Sequence, residues 1–276
     1  MKRIAFLFVF SVCCCHAQMV ELKKDSILST KDTISIYIKN NILGDVFFKI
    51  DPKDSTMHSI VYPPKSMIPA GGKLTNFIKV PRNILENDSA AIGLKNYFTF
   101  NLAFGNPATV KPNNDYKYLL PYKPKRKLIQ GNFGNFSHNH AGSFHAFDFG
   151  TKIGDTIYAA REGKVISIKD DSKKHGRTRK FSNFANYIVI MHDDETTAHY
   201  YHLDYKGVLV ANGDTVTRGQ AIGISGMTGF TTVQHLHFVV RIPTEDKGNI
   251  SIPIEFEGFE GKKFKKGKKY KRKKIQ

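Results

Sequence analysis

Short hydrophobic runs separated by turn residues recur along the first half of the chain. In the clearest run, every second position is apolar: Phe98, Phe100, Leu102 and Phe104. Because successive side chains of a strand point to opposite faces, this alternation predicts a half-buried strand. Two similar runs, ISIYIK and DVFFKI, are bounded by clusters of Pro, Gly, Asn and Asp. The pattern predicts an all-β, sandwich-like domain of about a hundred residues between residues 34 and 105.

Residues 128–243 repeat this strand-like pattern with more glycine-rich turns. The hydrophobic runs include ANYIVIMH, TTAHYYHL and HLHFVVRI, and no stretch of useful length has the period of a helix. We therefore expect an antiparallel β-sheet assembly whose chemical site lies in a groove. The segment NPATVKPNNDYKYLLPYKPKRK, rich in Pro, Asn and Lys, lies between the two regions and predicts a domain boundary near residue 120.

The first residues, MKRIAFLFVFSVCCCHAQ, combine a basic start, an apolar run and the small residue Ala17. This order is typical of a secretory signal peptide over residues 1–17, so we expect an exported protein, periplasmic or secreted and associated with the cell envelope. A membrane anchor and a lipoprotein signal are the alternatives, although the run is short for a transmembrane span. The three cysteines of the chain are Cys13, Cys14 and Cys15. Cleavage after Ala17 would remove them, which excludes disulfides and thiolate chemistry from the mature chain.

Much of the positive charge lies at the C-terminus. The 276 residues carry 42 Lys and Arg against 24 Asp and Glu, a net charge of +18, and ten of the sixteen residues 261–276 are basic. A run of like charges repels itself, so we expect a disordered Lys-rich tail. Such a tail could bind an anionic wall polymer or lipid surface, or only keep the chain soluble. The predicted divisions are residues 18–120, 121–245, 246–260 and the tail.

The clearest chemical signal is the sequence QHLHF, which contains His235 and His237. Side chains two apart in a strand share a face, so the two imidazoles project together while Leu236 and Phe238 line the opposite face. Two imidazoles on one face can serve as metal ligands or as an acid and a base. Because this pattern also occurs in proteins without such a site, it needs partners elsewhere in the chain.

The carboxylate of Asp148 is the first such partner, because it interrupts the aromatic run SFHAFDFG. The preceding loop, FSHNHAG, can carry either His138 or His140 over this strand, whereas His145 should point to the other face. Together with His237, one of these residues would complete two His and one carboxylate. This is the ligand set of a catalytic zinc, which lowers the pKa of a bound water and polarises a carbonyl.

The run AHYYHL supplies a further candidate, His202. Strand alternation places it on one face with Ala198 and Tyr200, and His199 on the other face. A histidine that does not bind the metal could orient the nucleophile or bind a developing oxyanion. We interpret His199, and likewise His192 and His175, as packing or surface histidines.

These motifs, in the order SFHAFDFG, GDTIYAAREGKV, NYIVIMH, YYHL, VANGDTVTRGQAIGISGMTGF and HLHF, resemble the lysostaphin/LytM-type zinc metallopeptidases, which are peptidoglycan endopeptidases. The resemblance covers about 115 residues of the second region. It implies that Asp148 and His237 are zinc ligands. It also implies that His202 and His235 are catalytic, activating the water and stabilising the tetrahedral intermediate.

One position departs from the pattern of that family. The usual first ligand is a histidine four residues before the aspartate, but position 144 is Phe144. Some members resembling this chain carry a Ser-His in the preceding loop instead. We therefore expect His138 to be the third zinc ligand, with His140 and then His145 as alternatives.

Two functions follow from the resemblance. The first is an exported zinc endopeptidase that hydrolyses peptide bonds of peptidoglycan stems or cross-links. The second is an inactive relative that binds the wall or activates other hydrolases. Because Asp148, His202, His235 and His237 are all present, we favour the enzyme. A specific nucleic-acid binder is not supported, since the regions predicted to fold lack a patterned surface of basic and aromatic residues.

Overall fold

The computed structural model describes residues 20–53, 59–84, 94, 96–134 and 137–273. The predicted signal peptide lies outside these residues. The strands are β1 Val20–Asp25, β2 Thr33–Asn40, β3 Val46–Pro52, β4 Lys65–Ile68, β5 Lys73–Pro81, β6 Phe98–Phe104, β7 Lys117–Tyr118, β8 Arg126–Gln130, β9 Phe147–Phe149, β10 Thr156–Tyr158, β11 Gly163–Lys169, β12 His175–Gly176, β13 Asn186–Met191, β14 Thr197–Val208, β15 Thr215–Val216, β16 Ala221–Ser225, β17 Gly229–Phe230, β18 Leu236–Thr244, β19 Gly248–Ser251, β20 Glu255–Phe256 and β21 Lys269–Tyr270. A 3-10 helix, Arg179–Phe184, lies between β12 and β13.

The chain divides into two compact units, residues 1–103 and 104–276. The first unit contains two three-stranded antiparallel sheets, ordered β1-β2-β5 and β4-β3-β6. Phe48 of β3 and Phe77 of β5 pack edge to face with ring centroids 5.8 Å apart, so apolar side chains of the two sheets meet. The all-β class is confirmed for this unit, while the finer prediction of a sandwich stays a prediction.

The second unit is built on one large sheet with the order β15-β11-β13-β14-β18-β9-β8-β21. All neighbours along this path pair antiparallel, as the sequence predicted. One face of the sheet carries a buried core that includes Phe149, Tyr200, Leu203 and Phe238, each fully excluded from solvent. The opposite face of its central strands, β14, β18 and β9, is therefore available for chemistry.

The division of the chain differs from the predicted boundary near residue 120. Residues 104–122 belong to the second unit because their backbone and side chains are bound to it. The Phe104 amide donates to the Asn249 side chain at 2.8 Å, the Leu119 amide donates to the Ala160 carbonyl at 2.9 Å, and Tyr122 is fully buried. A segment rich in Pro, Asn and Lys can thus follow the surface of a domain without being a linker.

The prediction of a disordered tail is wrong for residues 261–273, and residues 274–276 lie outside the described part. Strand β21 pairs with β8, with Lys269 opposite Lys127 and Tyr270 opposite Arg126. The rings of Phe264 and Tyr270 stack with centroids 4.1 Å apart and pack against the core. The packing of these two aromatic rings offsets the repulsion between the lysines. Amino-acid composition alone does not reveal this packing.

The described residues contain no helix of sufficient length and apolar character to cross a membrane.

Candidate metal centre

Asp148 and His237 lie side by side on adjacent strands of the central sheet. Strand pairing places Asp148 of β9 opposite His237 of β18, and His237 opposite Tyr201 of β14. Their sequence neighbours Phe149 and Phe238 point into the core. Because side chains alternate along a strand, Asp148 and His237 must point to the other face. The Asp148 Oδ1 and His237 Nδ1 atoms are 2.8 Å apart.

A loop brings His138 to the same place. Its Nδ1 donates to the Gly131 carbonyl at 2.7 Å, so the proton resides on Nδ1 and the lone pair on Nε2. Nε2 lies 3.1 Å from Asp148 Oδ1 and 3.3 Å from His237 Nδ1. The three ligand atoms form a compact group within 4.8 Å of one another. The carbonyl bond fixes the orientation of the His138 ring, as the outer partners of metal-binding histidines do.

This donor set fits zinc. Two imidazole nitrogens and one carboxylate oxygen are the kind of three-residue set that leaves a fourth position open in catalytic zinc sites. A tetrahedral ion about 2.0–2.1 Å from each ligand holds the ligands roughly 3.3 Å apart. The separations of 2.8, 3.1 and 3.3 Å between the three atoms need only a small expansion to reach this geometry.

The pKa shifts of Asp148 and His237 favour metal binding, whereas that of His138 opposes it. Burial opposes the charge of Asp148, but His235, His138 and His237 together hold the pKa of its carboxyl well below the ordinary value. Burial lowers the pKa of His237 to about 4, against the opposing effect of Asp148. For His138, burial opposes protonation, and the hydrogen bond and charge of Asp148 raise the pKa. A carboxylate is therefore present, and a metal would compete with the proton on His138.

His202 reaches this face through a β-bulge. Tyr187 of β13 pairs with Tyr201 and Asn186 pairs with Leu203, so His202 is an extra residue in β14. Its φ of +67° lies in the left-handed region. The predicted face was wrong, because the bulge returns Leu203 to the core face with Tyr200 and turns His202 away from it.

His202 and His235 are neighbours beside the three potential ligands. Their ring centroids are 4.6 Å apart, and His235 Nε2 lies 3.6 Å from Asp148 Oδ1. Each Nδ1 donates to a backbone carbonyl, His202 to Thr228 at 2.7 Å and His235 to Val233 at 2.9 Å. This bond leaves Nε2 of each ring turned away from the carbonyl. Burial and then the nearby His235 and His237 lower the pKa of His202 to about 3, so this residue is neutral at pH 7.

The alternative ligands lie outside the cluster of potential ligands. His140 is exposed. Partial desolvation of its ring and the charges of Arg241 and Arg179 lower its pKa. His145 precedes β9 and packs edge to face on Phe133 with centroids 5.0 Å apart. Only His138 of the three candidates belongs to the group with Asp148 and His237 among the described residues.

Residues to which the sequence analysis gave no role in the site lie around the cluster. Tyr201 lies beside His237, with ring centroids 5.8 Å apart, and His199 Nδ1 is 3.2 Å from the Tyr201 hydroxyl. The alternation in AHYYHL indicated that His199 and Tyr201 share a face, but their proximity to His237 depends on strand register. The Gly131, Thr228 and Val233 carbonyls have no side-chain signal in the sequence.

Residues 142–250 match the model of Peptidase family M23. This confirms the resemblance to lysostaphin-type peptidases. The peptidoglycan DD-endopeptidase ShyB of Vibrio cholerae serotype O1 is 40% identical over 109 residues, which are 39% of this chain and 23% of ShyB. Lysostaphin of Staphylococcus simulans is 30% identical over 146 residues, 52% of this chain and 25% of that protein.

Among solved structures, the catalytic domain of lysostaphin from Staphylococcus simulans is 28% identical, with a TM-score of 0.32, over 50% of this chain and 90% of that domain. The matched segment spans 23% of ShyB and 25% of lysostaphin. The chain thus matches about a quarter of the length of these two relatives, and activity, substrate and partners of the whole protein are proposals.

Proposed function

We propose that the protein is an exported zinc-dependent endopeptidase that hydrolyses peptide bonds of peptidoglycan stems or cross-links. The observation that carries the proposal is the convergence of His138 Nε2, Asp148 Oδ1 and His237 Nδ1 beside two histidines anchored by backbone carbonyls. The M23 family match and the names of the peptidoglycan-cleaving relatives support the reaction class and the substrate. The signal-like N-terminal sequence supports export.

In this proposal, His138, Asp148 and His237 would hold the zinc ion. When bound there, zinc would polarise the scissile carbonyl and supply a nucleophile at neutral pH. All three residues are held in position before any ion binds. The Gly131 carbonyl orients His138, and pairing of adjacent strands positions Asp148 and His237. Preorganised ligands need no rearrangement when the substrate binds.

His202 and His235 would accept and release the proton of the attacking water. A neutral imidazole whose Nδ1 donates to a carbonyl can accept a proton only at Nε2, so each residue can act as a general base. After one Nε2 has accepted the proton, the same N–H can stabilise the developing oxyanion or pass the proton to the leaving amine. The low pKa of His202, about 3, keeps this residue unprotonated at pH 7.

Metal analysis and digestion of purified peptidoglycan test the proposal. The full chain should bind about one zinc per molecule, in keeping with a single three-ligand site, and should release muropeptides that mass spectrometry can identify. His237→Ala should lose the metal and reduce hydrolysis to background. A wild-type protein that binds no zinc and releases no fragments would favour the inactive wall-binding alternative.

A comparison of His138→Ala, His140→Ala and His145→Ala tests the third ligand. We expect zinc to be lost only from His138→Ala, because its Nε2 lies 3.1 Å from Asp148 Oδ1. His140→Ala is the matched control, since it removes an imidazole from the same loop. Retention of zinc by His138→Ala together with loss from His140→Ala would contradict the assignment.

A further inference from the structure

The C-terminal segment and strand β8 present a surface made almost entirely of exposed lysines. We name this surface the basic edge and define it by Lys123, Lys125, Lys127, Lys262, Lys263, Lys265, Lys266, Lys268, Lys269, Lys271 and Lys273. Residues 261–273 contain no acidic residue. Among the preceding acidic residues, Glu255 and Glu257 form ion pairs with Lys117 and Arg218 outside the basic edge, and Glu260 interacts with the charge of Lys273 within it.

The lysines of the basic edge are held in place by the fold. Strand β21 pairs with β8, and the Leu128 amide donates to the Lys268 carbonyl at 2.8 Å. Phe264 packs against Phe147 and Phe256 with ring centroids 5.6 and 5.2 Å apart. A fixed array of charges loses less conformational entropy on binding than the same charges on a free tail.

Part of the basic edge faces the same way as the metal centre. Leu128 pairs with Phe149, and both point into the core. Alternation along β8 therefore turns Lys127 to the opposite face, and Lys269, directly opposite Lys127, points the same way. This is the face from which Asp148 projects. A ligand that extends across this face of the sheet can reach both the metal centre and the basic edge.

The separation suits one extended polymer. In the order β9-β8-β21, the basic edge begins on the strand next to that of Asp148. With strands about 4.8 Å apart and residues about 3.3 Å apart along a strand, the Lys127 and Lys269 backbones lie roughly 8–12 Å from that of Asp148. This distance corresponds to about two to four residues of extended peptide. Charges so placed would meet groups a few residues from the scissile bond.

A carboxylate-bearing polymer suits this surface better than a lipid bilayer. Aromatic residues that could insert into a membrane interface are turned inward, since Phe259, Phe264 and Tyr270 pack against the core. None of the large exposed hydrophobic residues among the described part of the chain belongs to residues 261–273. The basic edge therefore offers charge without an apolar insertion surface.

We propose that the basic edge binds carboxylates of the same peptidoglycan polymer whose peptide bond is cleaved at the metal centre. This inference rests on the proposed function and adds a substrate-positioning surface to it. The lysines orient the polymer across the sheet face, so they act on the binding of intact wall material and leave the chemistry of a short peptide unchanged.

The test uses the full chain with Lys127→Gln, Lys269→Gln and Lys271→Gln combined. Substitution is preferable to deletion of residues 261–276, because deletion would remove β21 and the Phe264 anchor. The matched control combines Lys111→Gln, Lys164→Gln and Lys247→Gln, which are exposed lysines of the same unit outside the basic edge. Both variants lose the same charge, so a difference between them reports position.

Binding to purified sacculi is measured by sedimentation at low salt, with His202→Asn added to every protein to suppress cleavage. We expect about a tenfold weaker binding for the basic-edge variant, because it lacks three surface charge contacts. The control variant should bind like the parent, and the difference should shrink at high salt. In the otherwise wild-type background, both variants should cleave a short uncharged peptide at an equal rate.

Three results would overturn the inference: equal binding by the two variants, unchanged binding to sacculi whose carboxylates have been amidated, or tighter binding of the parent to phosphatidylglycerol vesicles than to sacculi. Sedimentation does not require hydrolysis. A failure of the proposed function would appear as absent cleavage by the wild type, and a failure of this inference as unchanged binding.

Discussion

A buried asparagine of the first unit and the histidine cluster of the second unit use their polar atoms differently. In the first unit, Asn40 is fully buried and its amide donates to the carbonyls of Gly44, Ile68 and Pro69 at 2.9–3.2 Å. Its oxygen accepts the Ile42 amide at 3.0 Å. All of these partners are backbone groups, of residues 42–44 and 68–69, so the side chain links two segments and has little capacity left to bind a ligand.

In the second unit, the buried polar groups of the metal centre face one another. Three of its histidines each use Nδ1 to bind a carbonyl, in the pairs His138–Gly131, His202–Thr228 and His235–Val233. The other nitrogen is left for the cluster. Backbone groups thus bind both polar atoms of the Asn40 side chain, but only one of the two ring nitrogens in each of these three histidines. This difference distinguishes a structural polar residue from one placed for chemistry.

The largest expected effect is a fall in kcat when His202 of the histidine cluster is replaced. His202→Asn removes the proposed general base, while Asn tolerates the left-handed backbone of this position. We expect kcat to fall on the order of 10²–10⁴-fold, the usual contribution of a general acid or base, with zinc content unchanged. Hydrolysis of a soluble peptide and metal analysis measure the two quantities. His175→Asn, at an exposed histidine, is the control, and kcat within tenfold of the wild type for His202→Asn would contradict the role.

The next effect concerns the anchor of the C-terminal segment. Phe264→Ala should reduce the free energy of unfolding by about 2–3 kcal/mol, below the range for a fully buried phenylalanine because Phe264 is only partly buried. Denaturant unfolding of the zinc-loaded protein measures it. Lys266→Ala, in the same segment, should change stability by less than about 0.5 kcal/mol. Equal stabilities for the two variants would contradict the ordered packing of residues 261–273.

A structural polar residue should affect stability without affecting chemistry. Asn40→Ala leaves buried carbonyls and one amide without their partner, so we expect a loss of about 2 kcal/mol in the free energy of unfolding. The kcat per folded molecule on a soluble peptide should remain that of the wild type. A fall in kcat comparable to that of His202→Asn would remove the distinction between the two kinds of buried polar group.

The smallest effect is a pH dependence from a histidine outside the centre. Burial and then Arg161 lower the pKa of His192 to about 4, although the Glu162 carbonyl accepts its Nδ1 proton and the Asp194 and Glu162 charges oppose the shift. The unfolded residue binds a proton near pH 6.5 and the folded one only near pH 4, so stability is lost as pH falls through this interval. The loss should reach about 1 kcal/mol by pH 5.5.

Urea unfolding at several pH values measures this dependence. His192→Gln removes the titrating ring, so its stability should change less between about pH 7 and pH 5 than that of the wild type. A wild type and a His192→Gln variant with the same slope over this interval would show that the ring does not titrate differently in the folded state.

The sequence by itself determined the all-β class, the core faces of the strands and most of the chemistry-bearing residues. Alternation at Phe147 and Phe149, and at Leu236 and Phe238, fixes which side of each strand is buried, because apolar side chains stabilise the fold only when they lie on the core face. This was enough to turn Asp148 and His237 to the other face and to recognise the peptidase family.

Only the tertiary structure decided how those residues meet. Strand register brings Asp148 beside His237, a bulge at His202 reverses the face that alternation predicts, and loop closure selects His138. The same holds for the C-terminal segment, where the packing of Phe264 and Tyr270 overcomes lysine repulsion. Local patterns report the preferences of single residues, whereas register, bulges and packing arise from contacts between segments far apart in the chain.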